Sequence, residues 1–252
     1  MDHLAVYDHT VNVDAEVEAL AARYLAGETG LLSRRLSFTT LDSVYRAMGA
    51  TDLGSLYTVL AEQGVELLTF AERTSFLGGE AKRWKLANPA IGMSSERPAL
   101  PGLLLAHAVE LVKALDFAPE VVVGLAQSGI PLGSAVSLAC NRPLAVSRVL
   151  HPAHTLFPHS IPLYEPADEF GTYVVCCQRG TRIWLIDDEI TTGESVTSFI
   201  TSLRGEGVVV SGVGAAFELV LPNVPTGVDH VRNTTGVPVE ASVRMPYPLA
   251  DK

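Results

Sequence analysis

Apolar residues along this chain follow two rhythms. From Leu104 onward, short unbroken runs of aliphatic residues alternate with stretches in which apolar positions recur every three or four residues. The first rhythm predicts strands buried on both faces, the second amphipathic helices, and their alternation a parallel sheet covered by helices. Val121–Leu125, Leu144–Val146, Ile183–Ile186 and Val208–Phe217 read as core strands, with a last one near Val237–Val243 and further β structure at Tyr173–Cys177. Leu104, Ala108, Leu111 and Leu115 mark one helix, Leu132–Ala139 a second, and Val196, Phe199, Ile200 and Leu203 a third that stops near Gly205.

The first hundred residues read differently. Val13, Val17, Leu20 and Tyr24 have helical spacing, Phe38–Gly64 suggests shorter helices broken near Gly49 and Gly54, and Glu66–Phe70 with Ala81–Leu86 flank Gly78-Gly79 as a small β element. Pro89–Pro101 is rich in proline and serine, as a joint between units is. The pattern therefore predicts an α+β appendage over residues 1–98 and an α/β core over 99–252.

With 252 residues, 48% of them hydrophobic, the chain can bury a substantial core. A formal net charge of −10 argues against general nucleic-acid binding, so an anionic ligand must be held by local donors. No apolar stretch is long enough to span a bilayer, and Met1–Asn12 lacks the basic and apolar regions of a secretory leader. Cys140, Cys176 and Cys177 form neither a zinc pattern nor a disulfide framework, and the adjacent pair should face opposite sides of a strand as buried structural thiols. A cytoplasmic protein without membrane or nucleic-acid partners is expected.

Candidate chemistry concentrates between Thr181 and Ser195. The apolar run Ile183–Ile186 ends in Asp187 and Asp188, then in the turn Thr191-Thr192-Gly193-Glu194-Ser195, inside which the third helix begins. Converging backbone N–H groups, the positive end of the helix dipole and the hydroxyls fit this turn to a dianionic phosphate without a lysine. Carboxylates beside a phosphate repel it, so the acids must face sugar hydroxyls or a hydrated metal ion. Leu150–Gly171 is broken by Pro152, Pro158, Pro162 and Pro166 and is too long for an idle connector, which suggests a lid.

A strand, two acids and a Thr-Thr-Gly-x-Ser turn opening a helix resemble the phosphoribosyl pyrophosphate (PRPP) motif of type I phosphoribosyltransferases, and the motif is most similar to that of the orotate phosphoribosyltransferases. The resemblance implies that family's parallel sheet flanked by helices, with residues 1–98 as a hood. It also implies Mg²⁺-dependent transfer of ribose 5-phosphate from PRPP to a nitrogen heterocycle, and a homodimer. Thr191, Thr192, Gly193, Glu194 and Ser195 would hold the 5′-phosphate, with the Glu194 side chain turned outward, and Asp187 and Asp188 the ribose hydroxyls, with Mg²⁺ carried by PRPP near them. Ala126, Gln127, Ser128 and Gly129 match the loop that binds pyrophosphate. Arg148, ending the second core strand, is either a cation for the leaving pyrophosphate or a solvated surface arginine. The family's mobile loop corresponds to Leu150–Gly171, which contains no lysine. His151, His154 and His159 are its candidate proton donors or phosphate contacts, with His154 taken as catalytic and metal binding as the alternative. Phe217 either stacks on the acceptor or packs in the core. A PRPP-sensing regulator and an enzyme with an unusual acceptor remain as alternative functions.

Overall fold

The computed structural model describes residues 45–46, 49–62, 69–73, 83–87, 101–125, 128–149, 160–164, 172–220 and 225–246. Predicted elements on Val13–Tyr24, and the three lid histidines, lie outside the described residues.

Helix α1 (Leu53–Glu62) starts where Asp52 and Ser55 cap each other: the Ser55 N–H donates to Asp52 Oδ1 at 2.7 Å and the Asp52 N–H to Ser55 Oγ at 3.0 Å. This reciprocal cap fixes the start ahead of Gly54, so the predicted break there does not occur. The break at Gly49 does, with φ of +78° and the Ala50 N–H bonded back to Tyr45 O at 2.7 Å. Strands β1 (Thr69–Arg73) and β2 (Arg83–Ala87) pair antiparallel, as the pattern around Gly78-Gly79 predicts.

The core begins with α2 (Pro101–Lys113), opened by a proline whose missing N–H costs nothing in a first turn. Then follow β3 (Val121–Gly124), α3 (Gly129–Cys140), β4 (Leu144–Val146), β8 (Arg182–Ile190), α4 (Glu194–Gly205), β9 (Val209–Val220), α5 (Gly227–Thr235) and β10 (Val239–Pro246). Between β4 and β8 the chain forms a separate antiparallel sheet from β5 (Arg148–Val149), β6 (Ser160–Tyr164) and β7 (Thr172–Cys176), ordered β5-β7-β6. The main sheet runs β10-β9-β8-β3-β4 with every pair parallel. All five carboxyl ends thus share one edge, and the strand order reverses between β3 and β8, where open α/β sheets bind ligands.

Apolar residues on β8 divide between the two faces. Trp184 and Ile186 join the core made with α1, α2 and α3, while Ile183 and Leu185 join the one made with α4, α5, β6 and β7. That alternation is the period-two geometry of a strand covered on both sides. Val196, Phe199, Ile200 and Leu203 form the buried stripe of α4, as predicted. Each such side chain contributes roughly 1.5–3 kcal/mol on burial. No helix among the described residues is long and apolar enough to cross a membrane.

Several expectations need correction. Strand β8 continues four residues past Ile186, because β9 is long enough to offer partners as far as Ile190↔Glu218. Helix α3 starts at Gly129 rather than Leu132, with Pro131 in its first turn. Arg148 does not end the second core strand: that strand stops at Val146, Ser147 donates its N–H to Gly124 O at 2.9 Å, and Arg148 starts the small sheet. Ser160–Tyr164, within the predicted lid, is a strand bonded to β7, with Ile161 buried. Phe217 takes the core place, one of its two expected roles: it is fully buried, edge-on to Tyr57 and His107 at centroid distances of 5.5 and 5.1 Å, and stacks on no acceptor. Cys176 and Cys177 do face opposite sides, but only Cys177 is buried.

Candidate active site

The acid corner is built by β8. Asp187 and Asp188 stand just beyond the last residue that β8 pairs with β3, the Gly124↔Ile186 couple, so their main chain is laddered only to β9. The Asp188 N–H donates to Asp187 Oδ1 at 3.0 Å. Asp188 is 6% exposed, and its Oδ2 has no hydrogen-bond partner among the described residues. Burial, then the adjacent Asp188 charge and hydrogen bond, and to a smaller extent Glu189, hold the Asp187 carboxyl well above the usual carboxylate range, against the pull of the Asp188 N–H.

Such a pair is short of positive partners. Hydroxyl donors or a cation would satisfy Asp188 Oδ2 and favour ionised Asp187. Among the described residues no group of three or more His, Cys, Asp and Glu assembles as a metal cage. The two acids therefore suit a divalent ion that brings other ligands with it, as Mg²⁺ does on a polyphosphate.

The turn Thr191–Ser195 follows directly. Its pivot is Gly193, the N-cap of α4, at φ +77° and ψ 0°, a left-handed conformation that glycine adopts without steric cost. Thr197 N–H returns to Gly193 O at 2.9 Å and closes the first helical turn. The N–H groups of that turn and the dipole's positive end face the carboxyl edge of the sheet. Thr192 is exposed, Thr191 and Ser195 are half-buried, and the Glu194 N–H reaches Thr192 Oγ1 at 3.4 Å. The Glu194 side chain is exposed.

On the neighbouring strand the chain makes a second such corner. Leu125 donates its N–H to Ile186 O at 2.9 Å, which ties the end of β3 to the root of the acid pair. Ser128, half-buried, is the N-cap of α3, and Gly129 opens the helix so close to β8 that a Cβ there would lie 2.7 Å from Ile186 O, 2.9 Å from Asp187 Cα and 3.1 Å from Asp187 Oδ1. Two helix N-termini, of α3 and α4, thus flank Asp187 and Asp188 at the switch point. Arg148 is exposed and lies two residues beyond the end of β4, on the same edge. Ala126, Gln127 and His154 lie outside the described residues.

One structural partner of the site escapes the sequence reading. Helix α5 abuts the turn: a Cβ on Gly193 would lie 2.5 Å from Gly227 O, and one on Gly227 2.4 Å from Thr191 O. The signal was present in Thr226-x-x-Asp229, where Thr226 Oγ1 accepts the Asp229 N–H at 3.1 Å, and in Gly236 at the far end. With Val228 and Val231 as its buried apolar residues, the nine-residue helix carries too few apolar positions to stand out.

No family model matches the chain. Its sequence is 33% identical over 113 residues to an orotate phosphoribosyltransferase of Methanocorpusculum labreanum, an alignment covering 45% of this chain and 57% of that one; the chain thus spans little more than half of this relative's length. It is 24% identical over 147 residues to a hypoxanthine/guanine phosphoribosyltransferase of Methanococcus maripaludis, covering 58% of this chain and 75% of the relative. Among solved structures, an adenine phosphoribosyltransferase from Thermoanaerobacter pseudethanolicus has a TM-score of 0.51 at 13% identity, over 73% of this chain and 99% of its own. The likeness to that structure is one of fold. In sequence the chain is thus similar, over part of its length, to named phosphoribosyltransferases, and in fold to a solved adenine phosphoribosyltransferase.

Proposed function

We propose that the chain transfers the ribose 5-phosphate of PRPP to a nitrogen heterocycle and releases pyrophosphate. The observation that carries this reading is the acid pair Asp187–Asp188 set between two helix N-termini where the strand order reverses. Three ligand-binding functions then lie side by side, as a sugar carrying phosphate at one end and pyrophosphate at the other requires.

Thr191, Thr192, Gly193, Ser195 and the main chain of Glu194 hold the 5′-phosphate, and Asp187 and Asp188 accept hydrogen bonds from the ribose diol. Ser128 and Gly129, with Ala126 and Gln127, hold the pyrophosphate through main-chain amides. In the reaction the C1–oxygen bond to pyrophosphate breaks, a C1–nitrogen bond forms and the acceptor nitrogen loses its proton. Positive charge grows on the ribose ring as the bond lengthens, so the adjacent carboxylates favour that state over the ground state. Arg148 offers a cation to the departing pyrophosphate and His154 a proton donor. Mg²⁺ held at Asp187 and Asp188 would neutralise leaving-group charge. Residues 1–98 act as a hood over the acceptor, and the working unit is a homodimer. The relatives' names divide among orotate, hypoxanthine/guanine and adenine, so the acceptor is stated only as a nucleobase-like heterocycle.

Calorimetric titration with PRPP and Mg²⁺ tests the site. Replacing both acids, Asp187→Asn with Asp188→Asn, removes charge-assisted hydrogen bonds worth about 1.5–3 kcal/mol each and should weaken binding at least about tenfold. Unchanged affinity in the double variant would sink the assignment. A second reading, a PRPP-sensing regulator without turnover, is favoured by one observation: Leu150–Gly171 contains no lysine to place beside the leaving group. Pyrophosphate release assayed across a panel of bases separates the two, since a sensor binds PRPP and stays silent with every acceptor.

A further inference from the structure

We propose that Gly227 is a positioning residue for the 5′-phosphate turn: α5 serves as the backstop that fixes the shape of Thr191–Gly193. The inference rests on the PRPP reading of that turn and extends it to a helix outside the Thr191–Ser195 segment.

The contact is between main chains. Gly193 and Gly227 approach so closely that neither tolerates a side chain: a Cβ on Gly227 would meet Thr191 O at 2.4 Å and Ile190 Cγ2 at 2.8 Å, and one on Gly193 would meet Gly227 O at 2.5 Å and Val231 Cγ2 at 2.8 Å. All five residues belong either to α5 or to the stretch that runs from the end of β8 into α4. A second contact joins the far ends, where Arg204 Nη1, in the last turn of α4, donates to Thr235 O in the last turn of α5 at 2.7 Å. The two helices are therefore pinned together at both ends and run side by side in the same direction. This follows from topology, because α4 joins β8 to β9 and α5 joins β9 to β10, with the three strands adjacent.

The consequence is mechanical. The turn holds Gly193 in a left-handed conformation, and a cradle of amides binds an anion only if the amides already converge. Thr226 caps α5 from its own side chain, which sets where Gly227 sits. The wall behind the turn is then as fixed as the helix. Pressing on that wall tilts the amides of the turn and leaves the Ser128–Gly129 corner, on the other side of the acids, undisturbed.

The test compares two probes on the full chain: ribose 5-phosphate, which needs the turn, and inorganic pyrophosphate with Mg²⁺, which needs the other corner. Gly227→Ala is expected to weaken ribose 5-phosphate at least about tenfold, with pyrophosphate affinity within about twofold of wild type. Gly236→Ala, at the opposite end of α5 with φ +69° and no atom within 4 Å of its added carbon, strains the same helix through its backbone without touching the turn and should leave both affinities unchanged. Should Gly227→Ala not fold, Val231→Ala decides, because it empties the space behind Gly193; the same selective loss is expected. Equal ribose 5-phosphate affinity in the Gly227 or Val231 variant and wild type overturns the inference alone, and so does a loss that reaches both probes equally. Failure of the wild type to bind ribose 5-phosphate overturns the PRPP reading, and the inference with it.

Discussion

Two glycine-to-alanine replacements at the start of two helices should shift stability in opposite directions. Gly129 opens α3 and Gly102 is the second residue of α2. In helical geometry alone, alanine is favoured over glycine by up to about 1 kcal/mol at either place. At Gly102 nothing lies within 4 Å of the added carbon, so the gain stands. At Gly129 the carbon would sit 2.7 Å from Ile186 O and 2.9 Å from Asp187 Cα, whereas carbon contacts prefer roughly 3.5–4.0 Å. Both obstructing atoms are backbone of β8, which is laddered to β3 and β9, so α3 is the part that moves. Overpacking costs about 1–3 kcal/mol, and contacts this short with backbone lie in the upper part of that range, about 2–3 kcal/mol, so about 1–2 kcal/mol of destabilisation remains after the helical gain. At about 2–4 °C per kcal/mol for a chain of this size, Tm should fall by roughly 2–8 °C for Gly129→Ala and rise by up to about 4 °C for Gly102→Ala. Moving α3 also carries Ser128 away from Asp187, so pyrophosphate binding measured by calorimetry should weaken by about tenfold in the Gly129 variant. Thermal melts without ligand read the first effect. A Gly129→Ala protein that melts at or above wild type would refute the seating of α3 on the acid corner.

Asp187 titrates above its unfolded value, so its neutral form is the one the fold favours; its contribution is complete below about pH 3.8 and is lost as pH rises through the higher folded pKa. Asp187→Asn should therefore be more stable than wild type at neutral pH without ligand, while binding PRPP less well. Urea unfolding across pH checks this, and a variant less stable than wild type at neutral pH would contradict it. His107 works in the opposite sense: fully buried with its Nε2 2.7 Å from the Tyr57 hydroxyl, it is pushed down to about 3 by burial. The fold then loses roughly 1.4 kcal/mol per pH unit below 6.5, about 2 kcal/mol by pH 5, and His107→Gln should flatten that acid limb in the same unfolding series. Of the three thiols, only exposed Cys176 should react with a disulfide reagent in the native protein, because burial pushes Cys140 and Cys177 up to about 11; native reaction at two or more would contradict the burial.

What could be read from the sequence was what is local. The stripe of Val196, Phe199, Ile200 and Leu203, the unbroken Val121–Val123 run and the acid-to-turn boundary each carry their signal within a few residues. The contacts that shape the site join residues far apart in sequence and left no such mark: Gly129 on Asp187, and Gly227 on Thr191. Arg148 misled for a related reason, since nothing in Val146-Ser147-Arg148 says that the chain leaves the sheet at Ser147.

The position of the acids nevertheless follows from a core residue. Trp184 pairs with Gly212 on β9, and Ile186 with Gly214. A Cβ on Gly214 would come 2.9 Å from Ile186 Cδ1 and 3.2 Å from the indole's Cζ2, and one on Gly212 2.5 Å from the Phe117 ring, so Trp184 and Phe117 pack here only because both positions lack side chains. Phe117 closes the other side edge-on, at a centroid distance of 6.0 Å. Sliding β8 by one residue would bring the indole against Val213 and turn every side chain to the opposite face, which two differently packed cores forbid. The register so fixed sets Asp187 opposite Ala215, and the Gly124↔Ile186 pairing sets it beside the start of α3. A large side chain at Gly214 should thus damage ligand binding at Asp187, three residues along from Trp184, through register alone.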